Sequence, residues 1–214
     1  MQPLFRRGSA LALAGVALFL LLVTAPPARA QNPMPGMAGM KDMPGMDMGL
    51  PPVKIPPGAD YTVTDVRFMQ GMIAHHGQAV YMASLAAPHG ASDRLVKFAQ
   101  KIAQSQIAEI GLMQGWLRAN GQFAPDSSAW HHMMMPGMLT ADQLKQLDAA
   151  HGQEFDRLFL TFMIQHHEGA LQMVKDLFAT PLAGQDVDVS VFANDVHTVQ
   201  TAEIGIMQRM LSTL

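Results

Sequence analysis

The sequence predicts an all-α protein, an antiparallel four-helix bundle built from two duplicated helix pairs. After residue 60, apolar residues recur at helical spacing, and no segment alternates in the manner of a β-strand. Most connections between the four long helical segments are short, which favours antiparallel neighbours. The third observation is an internal repeat that relates the first helix pair to the second.

The repeat covers both helices of each pair. Residues 68–82 align with residues 159–173 with 7 of 15 positions identical, and these include two adjacent histidines. Residues 106–117 align with residues 200–211 with 8 of 12 identical, around a shared Ala-Glu-Ile-Gly core. The two halves are therefore duplicated helix pairs that pseudo-symmetry should relate.

The first 30 residues have the organisation of a secretory signal peptide. Arg6 and Arg7 form a positive region, residues 10–23 an apolar one, and Ala28-Arg29-Ala30 a small-residue cleavage site. The apolar segment is too short to span a membrane, so we expect cleavage after Ala30 and a periplasmic or secreted protein without membrane association.

The composition excludes several kinds of chemistry. The 214 residues include no cysteine, which excludes disulfides, thiolate zinc sites, iron–sulfur clusters and thiol catalysis. Removing residues 1–30 leaves 11 basic and 17 acidic residues, a balance that favours cations and disfavours nucleic acid as a partner. The 19 methionines are the most unusual feature of the composition.

The predicted elements follow from capping and breaking residues. Residues 31–59, rich in Met, Pro and Gly, are expected to form a flexible tail, and residues 60–214 the bundle. The first expected helix runs from about Thr64 to Ala86 and is capped by Thr62 or Thr64, and the second is capped by Ser92 and ends at Asn120-Gly121. A His/Met-rich loop at 121–139 follows, and then a short helix with a Thr140/Gln143 capping box. The last two expected helices run from Gly152 to about Ala179 and from about Val189 to the C-terminus.

The core-facing stripe of the first helix carries imidazoles and thioethers. Adjacent histidines point 100° apart on a helix, so each should lead a separate half-site. The third long helix repeats the pattern, with Leu160 in place of Met69. The candidate metal ligands on these two helices are Met69, Met72, His75, His76 and Met82, and Met163, His166, His167 and Met173.

The neighbouring helices each place a glutamate in the middle of an apolar stripe. Glu109 is followed by Met113 and Glu203 by Met207, and a buried carboxylate is costly unless it is paired or coordinated. The glutamates are therefore either metal ligands or groups that orient the imidazoles. The alternative is a buried His–Glu hydrogen bond that sets helix register, with methionines as core filler.

Imidazole and thioether together indicate copper. Cuprous copper takes Met and His, and cupric copper prefers His and carboxylate, whereas calcium and magnesium need oxygen clusters. Recurrence of the whole residue set in both halves favours metal binding over core packing. The predicted cofactor is therefore copper, cuprous or cupric.

Further candidate ligands lie outside the helices. In the tail, core packing cannot explain the methionines, although a compositionally drifting linker can. The loop either binds copper or folds back on the bundle. The candidates are Met34, Met37, Met40, Met43, Met46 and Met48 in the tail, and His131, His132, Met133, Met134, Met135 and Met138 in the loop.

These motifs resemble the family catalogued as domain of unknown function 305. The resemblance rests on Met72-x-x-His75-His76-x-x-Ala79-x-x-Met82 with Glu109-Ile110-x-x-Met113, on their repeat in the second half, and on residues 155–159. It implies a ferritin-like bundle and, from members of the CopM type, an exported copper-binding protein linked to copper resistance. It also implies copper binding at the Met and His positions of both motifs.

We therefore expect an exported protein that sequesters or transfers copper, its partners being copper ions and another copper-handling protein. The rival function is a cuprous oxidase or another metallo-oxidase. Di-iron bundles use Glu-x-x-His, and neither histidine pair has a glutamate three residues before it. A metal-free structural bundle is the third class. We expect no enzymatic activity.

Overall fold

The computed structural model describes residues 50–214, and these form a bundle of α-helices. The helices are α1 (Val63–Ser84), α2 (Asp93–Ala119), α3 (Ala141–Ala149), α4 (Gly152–Ala179) and α5 (Val187–Leu211), with a short 3-10 helix at Ser127–His131. No strand occurs within this range. The predicted signal peptide and the six methionines of the predicted tail lie outside the described residues.

Polar caps set where the helices begin. Thr62 and Asp65 form a capping box at the start of α1, and Ser92 caps α2. The predicted capping box of Thr140 and Gln143 begins α3. Helix α5 starts two residues earlier than predicted because the Asp186 side chain accepts a hydrogen bond from Val189 N.

The four long helices pack as two helical hairpins. Helix α1 packs along α2, α4 packs along α5, and α1 contacts α4 across the middle of the bundle. The short helix α3 lies against α4. The predicted antiparallel four-helix bundle is confirmed.

Two equivalent aspartates join the hairpins at opposite ends. Asp65 Oδ1 accepts a hydrogen bond from Gly184 N at 2.6 Å, and Asp156 accepts from Ser92 N at 3.1 Å. Both carboxylates are buried. Each one ties the start of α1 or α4 to the helix connection of the other half, which sets the alignment of α1 against α4.

The apolar core consists of two clusters with the histidines between them. One cluster contains α1 residues 66–73 and α4 residues 170–177, and the other contains α1 residues 79–83 and α4 residues 155–163. Because α1 and α4 are antiparallel, their histidine pairs meet at the same level. The predicted pseudo-symmetry therefore produces one polar layer inside an otherwise apolar bundle.

The segment before α1 is more ordered than predicted. Residues 50–59 have no regular secondary structure, but Val53, Ile55 and Ala59 pack against the core. Gln122 Nε2 also donates a hydrogen bond to Lys54 O at 2.9 Å. The packed part of the chain therefore begins before the predicted boundary at residue 60, because spaced apolar residues suffice to attach an irregular segment.

The His/Met-rich loop at 121–139 is folded against α1 and α4. The carbonyl of Ser127 packs on Gly77 and that of Pro136 packs on Gly169 so closely that neither glycine has room for a Cβ. Gln78 both donates to Leu139 O and accepts from Leu139 N, at 3.1 and 2.7 Å. The loop therefore folds back on the bundle, and copper binding by its side chains stays a prediction.

Helices in the described range lack the combination of length and apolar character needed to cross a bilayer.

Replacing Gly169 with Ala should destabilise the protein, because the new Cβ would overlap the Pro136 carbonyl and displace the loop. We expect the free energy of unfolding to fall by about 1–3 kcal/mol in urea denaturation. Gly111→Ala on α2 is the matched control, since a Cβ there meets open space, and it should raise stability by about 0.5–1 kcal/mol. Equal stability of the two variants would contradict the close approach of the loop.

Candidate metal centre

Two histidines from different halves meet in the middle of the bundle. His75 on α1 and His166 on α4 have ring centroids 3.8 Å apart, with the ring planes inclined at 41°. Both are completely buried. The repeat predicts that these residues are equivalent, and the antiparallel packing of α1 and α4 brings them into direct contact.

The other two histidines each face a glutamate on the neighbouring helix. His76 Nε2 lies 2.6 Å from Glu109 Oε2, and His167 Nε2 lies 2.8 Å from Glu203 Oε2. Ser105 donates a further hydrogen bond to Glu109 at 2.9 Å. The expected contact between histidines on one helix and a glutamate on its neighbour is present in both halves.

These hydrogen bonds determine which ring nitrogen keeps its lone pair. A neutral imidazole that donates from Nε2 to a carboxylate has an unprotonated Nδ1. His75 Nε2 donates in the same way to Pro136 O at 3.1 Å. Across residues 50–214, the Nδ1 atoms of all four histidines and Nε2 of His166 are buried without a hydrogen-bond partner.

Burial keeps the two central histidines neutral. It lowers the pKa of His75 to about 3, with a further contribution from the charge of His76, and it lowers the pKa of His166 well below its ordinary value. Burial of Glu109 opposes ionisation, but hydrogen bonds from His76 and Ser105 outweigh that effect and lower its pKa. At neutral pH the two central imidazoles, His75 and His166, are therefore unprotonated, and Glu109 is an ionised carboxylate.

Thioethers surround this layer in both apolar clusters. Met72 and Met163 lie one turn before the histidines of α1 and α4, and Met82 and Met173 lie after them. The buried methionines of the four long helices are Met69, Met72, Met82, Met113, Met163, Met173, Met207 and Met210. The structure places every predicted helical methionine in the interior, next to the histidine layer or within the clusters beside it.

The loop divides its predicted ligands between the interior and the surface. Met133 and Met138 are buried and Met135 is half-buried. His131, His132 and Met134 are exposed. The methionines predicted at positions 34–48 lie outside the described residues.

Met135 brings a loop thioether towards the centre. Its Sδ lies 3.1 Å from the position that a Cβ on Gly71 would occupy, and Met173 Cε lies 3.5 Å from the same point. Gly71 precedes His75 by one helical turn. The absence of a side chain at Gly71 therefore makes room for a thioether beside the histidine layer.

Sequence reasoning missed two buried glutamines. Gln106 and Gln200 lie one turn before Glu109 and Glu203, and both are 2% exposed. Within the described part of the chain, both amide atoms of Gln106 and Oε1 of Gln200 have no hydrogen-bond partner. The signal was present in the sequence, because these glutamines are the first identical pair in the repeat that contains the glutamates.

Among the described residues, the acidic and imidazole groups alone do not form a complete metal-coordination site. In residues 50–214, no three His, Asp or Glu side chains converge in a geometry that could hold a metal ion. A site in this layer must therefore use thioethers or reoriented imidazole rings. Both are donors that soft metal ions accept.

The chain belongs to the DUF305 family, a domain of unknown function whose profile matches residues 65–211. A presumed secreted DUF305 protein from Streptomyces coelicolor is 28% identical, with a TM-score of 0.61, over 72% of this chain and 94% of that chain. A DUF305 fragment from Deinococcus radiodurans is 27% identical, with a TM-score of 0.64, over 72% and 99%. A search of curated proteins finds no significant match.

Metal-bound structures are also among the relatives. CopM in its Cu(I)-bound form is 28% identical, with a TM-score of 0.56, over 71% of this chain and 98% of that chain. CopM has also been solved in Cu(II)-bound and Ag-bound forms. The predicted family and its helical fold are confirmed.

The buried histidines should make stability fall as the pH is lowered. The unfolded chain binds a proton at His75 near pH 6.5, whereas the folded chain resists it down to about pH 3. Between these values the unfolded state holds more protons, so from pH 7 to pH 5 His75 alone should cost about 2 kcal/mol of unfolding free energy.

Urea denaturation of the metal-free protein at both pH values measures this loss. The lowered pKa of Glu109 confines its own contribution to more acidic pH. The His75→Gln/His166→Gln variant should have a much flatter dependence, because amides do not titrate. A dependence that persisted undiminished in that variant would show that other groups cause it.

Proposed function

We propose that this chain is an exported copper-binding protein that holds copper at the buried histidine layer and its surrounding thioethers. One observation carries the proposal: five imidazole nitrogens are buried in the described residues with no hydrogen-bond partner. A buried polar atom without a partner lowers folding stability by about 1–3 kcal/mol, and a bound ion would supply the missing partner.

The donor set favours copper over harder cations. Unprotonated imidazole and thioether are the ligands of cuprous copper, and imidazole with carboxylate also suits the cupric ion. The likeness to CopM, solved with Cu(I), Cu(II) and silver, supports the same choice. Sequestration or transfer of copper, and hence copper homeostasis or resistance, would follow from such a site in an exported protein.

Glu109 and Glu203 would orient the imidazoles in this site. Each carboxylate accepts a hydrogen bond from the Nε2 of its histidine, which leaves the Nδ1 of that ring without a hydrogen-bond partner in residues 50–214. Carboxylate–histidine–metal arrangements hold metal-binding rings in this way. His75 and His166 would have to reorient to bind one ion. Imidazole lone pairs lie in the ring plane, and two rings packed together as these are do not both point a lone pair at the same ion.

We further propose that the protein binds copper without catalysing its oxidation. The histidine layer is completely buried, and this suits retention of an ion better than exchange with a soluble substrate. An oxygen electrode tests the point directly. A brief uptake of oxygen when cuprous ion is added fits binding alone, whereas sustained oxygen consumption would support a cuprous oxidase.

Removing the two central histidines should weaken copper binding. In an anaerobic titration of cuprous ion against a chromophoric chelator, His75→Leu/His166→Leu should bind at least 100-fold more weakly, about 2.7 kcal/mol. His197→Leu is the matched control, since that histidine is exposed on α5. A second protein that begins at Leu50 should keep the tight site. Binding that followed the tail and ignored the histidines would overturn the proposal.

The orienting role of the glutamates predicts a smaller effect. Glu203→Gln removes the charge that holds His167 and should weaken copper binding by about 10–100-fold, as measured in the same titration. Glu168→Gln is the control, because Glu168 lies next to His167 in the sequence but is exposed. Identical affinities of the two variants would contradict the orienting role.

A further inference from the structure

A surface cleft of about 350 Å³ lies between α1, α3 and the loop. Its lining includes Tyr81, Trp130, His131, Met134, Lys145 and Asp148. His131 and Met134 are the exposed imidazole and thioether of the loop that share this cleft. They are the two soft donors in its lining.

Three aromatic rings form one wall of the cleft. The Trp130 ring stacks on His131 with centroids 3.7 Å apart, and it contacts the tilted Tyr81 ring at 5.1 Å. Stacking uses the faces of the imidazole, whereas its nitrogen lone pairs lie in the ring plane. The stack therefore orients His131 while leaving its nitrogens available to a ligand.

The backbone that carries these residues is firmly attached to α1. The 3-10 helix that contains Trp130 and His131 begins with the Asp126 side chain accepting from Ser128 N at 2.8 Å. The Ser127 carbonyl packs directly on Gly77. The cleft is thus a built feature of the fold and not the tip of a loose loop.

The chain runs from this cleft to the buried centre within two residues. Met134 is 51% exposed, and the next residue, Met135, turns inward over Gly71 beside Met173. The carbonyl of the following residue, Pro136, accepts the hydrogen bond from His75. Two thioethers and a carbonyl therefore follow one another along the chain from the exposed cleft to the histidine layer.

We propose that His131 and Met134, backed by Trp130, form a surface site that captures a soft monovalent cation, cuprous or silver, and passes it by way of Met135 to the buried histidines. Imidazole and thioether supply two soft ligands, and the Trp130 ring stacked on His131 holds the imidazole in place. This entry site rests on the proposed function, because its purpose is to load the buried centre.

Two measurements on the mature chain, residues 31–214, test the entry site. Stopped-flow absorbance follows the removal of cuprous ion from its chromophoric chelator under anaerobic conditions. Tryptophan fluorescence follows the addition of silver nitrate, and Trp130→Phe identifies the signal because Trp116 is then the sole tryptophan. His131→Ala/Met134→Leu is the test variant, and His197→Ala, which removes an exposed imidazole on α5 away from this cleft, is its control.

The double variant should load at least tenfold more slowly than the wild type and reach the same final affinity, and it should lose the quenching of Trp130 by silver. The His197→Ala control should load at the wild-type rate. Wild-type loading and quenching in the double variant would overturn the entry site and leave the proposed function intact. If the wild type removed no copper from the chelator, the proposed function would fail, and the entry site with it.

Discussion

The structure depends on the burial of four imidazoles inside an apolar bundle. A buried polar group must find a partner or destabilise the fold, and here each histidine partner comes from a different element. Glu109 on α2 and Glu203 on α5 accept from the outer pair, and the loop carbonyl of Pro136 accepts from His75. The same contacts that hold the helices together thus leave Nδ1 of these three rings buried without a hydrogen-bond partner in the part of the chain that the structure describes.

The loop breaks the symmetry that the duplication creates. It crosses α1 and α4 at Gly77 and Gly169 and gives His75 a hydrogen-bond acceptor, whereas His166 has none among the described residues. Gly71 makes room for Met135, but its counterpart in the second half is the bulky Phe162. The duplicated halves therefore present two different central histidines: His75 donates to the loop carbonyl of Pro136, and His166 has no acceptor within residues 50–214.

Much of the site could be predicted because helix periodicity is local. Histidines lie on the core-facing stripe of α1 and a glutamate lies on that of α2, so pairing of the two helices brings them face to face. The His–Glu contact predicted in this way is present in both halves. The course of the loop was harder to predict, because its composition is the same whether its side chains point inward or outward. Its course depends on two glycines on distant helices that admit the backbone, and no local pattern shows which residues they receive.

The sequence by itself determined the helices, their caps, the duplication and the chemical type of the donors, because these follow from spacing and residue identity along a single segment. Tertiary structure decided which donors meet. Asp65 and Asp156 align α1 with α4 so that His75 and His166 come into contact, and the packed loop separates Met134 at the surface from Met133 and Met138 in the interior. Such contacts depend on how antiparallel helices and a folded loop are aligned in space, and residues far apart in the chain set that alignment.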